Sequence, residues 1–249
     1  MNMNMAMDVQ GTAAEMQAVK DKGIKLPMQM TSKTSMGATI KTGNLKSDNY
    51  FPLVITYDNV IVDKTMNGEA KPSPPNPLNG LSIICRYSTD GKIQVDSVPG
   101  KAIDNEMKDV LTKTISSFVN QLHFPDRPMN IGDTCSQQIP FSMPVPGINI
   151  QMTIKVLYKL VSLKNDLANF DVTESLNMDM TTQQAGKTMA LTGNGSGNGT
   201  MLYDIKQNIP TSTNIDFKMN YRMLMGDLVM LGDATIMSQH TTSVTSGGQ

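Results

Sequence analysis

Few side chains in this chain carry reactive chemistry, and their spacing limits what they can do. The two histidines, His123 and His240, stand in no metal-ligand spacing, and neither G-x-S-x-G nor H-E-x-x-H occurs. His123 falls at the end of a helical pattern, where the helix dipole favours a cation over a base. No catalytic set is assembled and no cofactor is implied, so the chain is read as non-enzymatic. Cys85 and Cys135 are too few for a disulfide scaffold or a metal cluster; they are either one disulfide or two buried thiols. The 22 methionines offer thioethers suited to Cu(I), with M-x-M at Met1 to Met7, Met28 to Met30, Met178 to Met180 and Met223 to Met225. Any strand filled with methionine shows the same period of two.

Two further stretches are chemically unusual. Glu174 shares a strand face with Val172 and Leu176, so either it is a buried carboxylate with a raised pKa or a cationic partner, or a bulge or the sheet rim exposes it. Between Met189 and Ile205 the odd positions include Gly193, Gly195, Gly197 and Gly199 in succession. GNGSGNG lacks the spacing and strand-to-helix junction of a phosphate loop. Glycine inside a strand marks instead a bend, the close approach of other backbone such as a helix, or deliberately empty volume.

The elements that hold these residues follow from periodicity. Lys101–His123 is the one long helical pattern: Ile103, Met107, Val110, Leu111, Ile115, Phe118, Val119 and Leu122 form an apolar stripe, and Pro125 ends it. The rest alternates as strands, with a short helix over 13–22 closed by Gly23. We expect a mostly β (α+β) fold: about eleven long antiparallel strands curved as a half-barrel around the helix. Its parts are strands over 1–97, the helix over 101–123 and a six-strand meander over 134–245, in one domain. Even positions from Leu26 to Ile40 form one strand, and Asp58–Asn59 breaks the phase of the next as a bulge.

Registers can be tested in advance. A three-residue turn with Gly91 at positive φ pairs Tyr87 with Ile93 and Cys85 with Val95. A three-residue loop over Lys164, Asn165 and Asp166 pairs Leu160 with Phe170, Tyr158 with Val172 and Met152 with Met178. A Gly226–Asp227 type II′ turn pairs Met225 with Leu228, Met223 with Met230, Tyr221 with Gly232, Met219 with Ala234 and Phe217 with Ile236. The Tyr221 ring then covers the glycine opposite.

A net charge of -1 over 249 residues argues against nucleic acid or an anionic membrane as partner. No apolar run reaches the length of a transmembrane span. The chain opens directly on a strand pattern, and we expect an exported protein, periplasmic or in the cell envelope, whose leader lies outside this sequence. The loop KPSPPNPLNG is read as exposed polyproline-like chain, with docking of a proline-binding module the lesser reading.

This arrangement of strands and helix resembles the half-barrel of periplasmic lipoprotein carriers and related lipid-binding lipoproteins. More narrowly, FPDRPMNIGDTC, GNGSGNGTMLYD and MNYRMLMGDLVM, within residues 124–245, are similar to an exported family of unknown function from Gram-negative bacteria. This chain lacks the tryptophan expected near Cys135, and the resemblance implies no catalytic residue.

The expected function is binding of a lipid or other apolar small molecule between curved sheet and helix, by a monomer. Met28, Met30, Met152, Tyr158, Phe170, Met178, Gly195, Gly197, Met219, Tyr221 and Met223 would line the site, since thioether side chains adapt to varied apolar shapes. The alternatives are a structural or partner-binding envelope module with a solid methionine core, and Cu(I) binding.

Overall fold

The structure, a computed structural model, describes residues 1–21, 23, 25–72, 76, 78–89, 92–99, 112, 115, 128–145, 148–184 and 187–245. At 140–145, 148–151, 182–184, 187–188 and 225 the description is of backbone alone, except for Met152 onward in that strand. In chain order the elements are β1 (Asn2–Gln10), α1 (Ala13–Asp21), β2 (Met28–Thr42), β3 (Tyr50–Met66), β4 (Glu69–Lys71), β5 (Ser82–Ser88) and β6 (Ile93–Ser97). Then follow β7 (Thr134–Val145), β8 (Ile148–Lys164), β9 (Leu167–Gln184), β10 (Lys187–Asp204), β11 (Ile209–Met225) and β12 (Leu228–Thr241). Strands hydrogen-bond in the order β6-β5-β3-β2-β1-β12-β11-β10-β9-β8-β7, with β4 on β3, and the order does not close. The twelfth strand, beyond the expected eleven, is the three-residue β4.

Contacts divide the chain into two compact units: residues 1–32, 65–70 and 124–249, and residues 33–64 and 71–123. In the second unit, Leu53, Ile55, Ile83, Cys85, Ile93, Val95, Val98 and Ile115 form a buried core, with Tyr57, Leu81 and Tyr87 packed against it. The registers Cys85–Val95 and Tyr87–Ile93 are as expected. Asn59 takes φ 52° and the buried positions change parity from Leu53 and Ile55 to Val60, so the expected bulge is present. On β2 the even phase holds only to Thr34, for Met36 and Ile40 are exposed. Gly37 packs there against the backbone of Asp58, and a Cβ would lie 3.1 Å from its carbonyl oxygen. The helix expected over 101–123 lies outside the described residues except for Thr112 and Ile115, both helical. Val95 donates its backbone N–H to Thr112 Oγ1 at 3.2 Å. The Asp90–Gly91 turn also lies outside the described residues, as does most of the proline-rich loop.

In the first unit, β7 to β12 form a meander and β1 pairs with β12. Side chains sort by parity as a pleated strand requires: in β8, Val156, Tyr158 and Leu160 are buried while Thr153, Lys155, Leu157 and Lys159 are exposed. The β8–β9 pairs Leu160–Phe170 and Tyr158–Val172 form as expected, while the continuous ladder starts at Thr153–Asn177, one pair inside Met152–Met178. The loop is shorter than expected. Asn165 and Asp166, at φ 52° and 64°, make a two-residue turn that pairs Lys164 with Leu167, and the residue gained is absorbed by a register shift between Leu160 and Ser162. Every expected pair of the β11–β12 hairpin is present, and Gly226 stands at φ 63°, as a type II′ turn demands. α1 has no buried residue, so its ends matter most. Thr12 Oγ1 accepts from the Glu15 amide at 3.4 Å, while Glu15 Oε2 accepts from the Thr12 amide at 2.8 Å, a reciprocal capping box.

Candidate functional site

The ladders of the first unit set the inward residues in cross-strand rows. One row runs Gln137, Val156, Glu174, Gly197, Phe217, Ile236 and Met3 across β7, β8, β9, β10, β11, β12 and β1. The next runs Ile139, Ile154, Leu176, Gly195, Met219, Ala234 and Met5. Beyond it stand Met178, Gly193, Tyr221, Gly232 and Met7, and on the other side of the first row Cys135, Tyr158, Val172, Gly199 and Ile215. Residues distant in sequence thus share one apolar face.

That face is graded. Tyr158, Phe170, Val172, Leu176, Met178, Met201 and Phe217 are buried. Tyr158 and Phe170 meet edge to face with ring centroids 6.4 Å apart, a favoured aromatic geometry. Towards β1, by contrast, Met3, Met5, Met7, Met219, Met223 and Met230 are only half-buried, as are Met180 and Met189. Of the expected ligand residues, Tyr158, Met178, Gly195, Gly197, Met219 and Tyr221 fall within these rows, Phe170 stands one row beyond Tyr158, between Leu160 and Met201, and Met223 pairs with Met230 beside them. Met152 is half-buried opposite Phe141, while Met28 and Met30 lie half-buried in β2, outside the rows.

The glycine strip is not empty volume. A Cβ on Gly195 would lie 2.6 Å from Phe217 Cζ, one on Gly197 2.7 Å from Phe217 Cδ2, and one on Gly193 2.7 Å from Met178 Cε. At Gly193 and Gly199 the nearest obstruction is a backbone carbonyl, that of Asn220 and of Asn214. Glycine is needed here because neighbouring side chains lie across the strand, with one phenylalanine ring roofing two glycines. Tyr221 behaves likewise towards Gly232, whose absent Cβ leaves room for its ring. Its hydroxyl donates to Met5 Sδ at 3.4 Å and reaches Met7 Sδ at 3.8 Å, so one M-x-M pair converges on a phenol.

Glu174 is not at a rim, and no register shift occurs beside it. It is half-buried in mid-strand between Val172 and Leu176, and burial raises its pKa. Burial pushes Tyr158 up to about 12, with smaller contributions from the charges of Glu174 and Cys135. Gln137 supplies another polar group on this face: its Oε1 is buried with no hydrogen-bond partner. Cys85 is buried in the second unit, its thiol raised to about 11 by desolvation and then by Asp96, and Cys135 is half-buried in the first. Asp96 itself pairs with Arg86 at 2.9 Å. Among the described residues no group of three or more His, Cys, Asp or Glu side chains could hold a metal ion, and no helix is long and apolar enough to cross a membrane.

Phe217, Met5, Met7 and Gln137 were not among the expected site residues. For Gln137 the signal was present, since the inward parity of Ile139 extends two residues back. For Phe217 it was not, because a ring leaning over the neighbouring strand leaves no mark in its own strand's period.

Residues 89–210, just under half of the chain, match the model of a family of unknown function, DUF6263. The match spans β6 to β10 and so includes the glycine strip, Glu174 and Gln137. No curated protein and no solved structure matches the chain.

Proposed function

We propose that this chain is a non-enzymatic, exported binding protein of the periplasm or cell envelope. It holds a lipid or other apolar molecule on the methionine-rich inner face of β1, β12 and β11. The observation that supports this most is the half-burial of Met3, Met5, Met7, Met219, Met223 and Met230 on one continuous face. A solid core would close over such side chains, whereas a surface that receives apolar guests of varied shape keeps flexible thioethers within reach. The part of the site expected from the 101–123 helix lies outside the described residues. The test is native mass spectrometry on protein purified without detergent. A co-purified lipid-sized species, lost on Met219→Glu with Met223→Glu, is the expected result. Absence of any such species, together with no uptake of an apolar fluorophore, overturns the reading.

A second reading, partner binding, is favoured by a different surface. Ile131, Leu163 and Ile205 are 67%, 52% and 49% exposed. They gather near the β8–β9 turn, where the Ile205 amide bonds Asp166 O and the Gly132 amide bonds Leu160 O. Concentration-dependent association in light scattering, weakened by Leu163→Asp, would support it; a monomer at every concentration would reject it.

A further inference from the structure

Gln137 and Glu174 are both cross-strand partners of Val156, on either side of it. Their backbones therefore stand two strand spacings apart, about 9.5 Å. Both side chains rise from the inward face among Ile139, Val172 and Leu176, and both present acceptors: the orphaned Gln137 Oε1 and the Glu174 carboxyl. A buried acceptor with no donor is destabilising, and a carboxylate on an apolar face is more so. Among the described residues, no lysine or arginine stands in the row of Gln137 and Glu174 or in the rows on either side of it, for Lys155 and Lys159 alternate onto the exposed face. Gly197, on the other side of Glu174, adds no side chain to the row, and Phe217 closes that side.

From this geometry we propose that Gln137 and Glu174 are the headgroup seat for an apolar ligand carrying a primary ammonium. An ammonium brings three donors and one positive charge, which match one amide oxygen and one carboxylate across Val156. A neutral hydroxyl would satisfy one acceptor only, and a carboxylate headgroup would add a second negative charge beside Glu174. The Tyr158 and Phe170 rings lie one and two rows away along the face and meet edge to face, offering ring surface to the first carbons of the chain. Burial among these apolar neighbours raises the pKa of Glu174.

This seat rests on the apolar-ligand reading above, and the test separates the two. Dodecylamine, 1-dodecanol and dodecanoate are compared for displacement of a neutral apolar fluorophore from the full chain. Dodecylamine is expected to bind about tenfold or more tightly than dodecanol, as charge-assisted hydrogen bonds allow. Glu174→Gln and Gln137→Met, each checked by thermal melt for folding, should each reduce that preference to about twofold or less. Equal binding of amine and alcohol, or tighter binding of dodecanoate, overturns the seat while the apolar-ligand reading stands. Failure of all three probes to bind removes that reading and the seat with it.

Discussion

Glu174 is the one acidic side chain that the inward parity of β9 places among apolar neighbours, and its titration is readable in stability. Burial raises its folded pKa above the unfolded carboxylate value of about 4.3, so the folded state holds the proton more tightly. Its contribution is favourable below that value and is lost as pH rises through the folded pKa. The ligand-free Glu174→Gln variant, which cannot titrate, should therefore melt higher than the parent near about pH 7.5, with the difference closing towards about pH 4. Identical melting temperatures at both ends would mean that the carboxyl is fully solvated. Cys85 offers a second check at the same scale. With its pKa pushed up to about 11 by burial, it should resist iodoacetamide at about pH 8 until denaturant is added, as followed by mass. Rapid labelling in the native protein would contradict its placement in the core.

At the scale of elements, turns and glycines carry the sharpest expectations. Asn165 and Asp166 both adopt positive φ between β8 and β9. Asn165→Ala should cost about 1 kcal/mol in denaturant unfolding, while Asn165→Gly should be tolerated. Gly199→Ala should cost about 1–3 kcal/mol, because the Cβ meets a backbone carbonyl that cannot swing aside; an unchanged midpoint would show that β10 and β11 are further apart than described. Much of this level was legible in the amino acids. Strict alternation fixed the inward faces of β8 to β12, and glycine in Gly226–Asp227 fixed the last hairpin. The two-residue turn before β9 was hidden because Leu160, Val161 and Leu163 are all apolar, so no polar residue marked the shift of phase between them. The cover over the glycine strip was hidden for another reason: parity says which face a side chain leaves from, not how far it leans across the next strand.

On the scale of the whole molecule, sequence order and sheet order part company at β1. This N-terminal strand pairs with β12 over Asn2–Met237 to Gln10–Val229, joining residues more than 200 positions apart in the chain. Its Met3 and Met5 extend inward rows begun by β7, and its Met7 the row begun by Met178 of β9. Deletion of residues 1–10 removes that part of the face and leaves the 14-residue β12 paired on the β11 side alone. The truncated chain should associate through the bared strand and appear as dimers or larger species in light scattering. A stable monomer that still takes up an apolar fluorophore would place the binding surface elsewhere. The family match at 89–210 excludes both β1 and β12, so the methionine rows near the N-terminus extend beyond the matched stretch.

Tyr221 has a use in the laboratory that follows from its surroundings. The chain has no tryptophan and six tyrosines, so its near-ultraviolet emission comes from phenols alone. One of those six donates its hydroxyl to the sulfur of Met5, with Met7 close by. Oxidising these sulfurs to sulfoxides replaces a weak acceptor with a strong one, and a guest molecule sliding over the thioethers would disturb the same bond. Intrinsic fluorescence, compared between the parent and Tyr221→Phe, thus becomes a label-free optical gauge of oxidation and occupancy at that corner of the molecule.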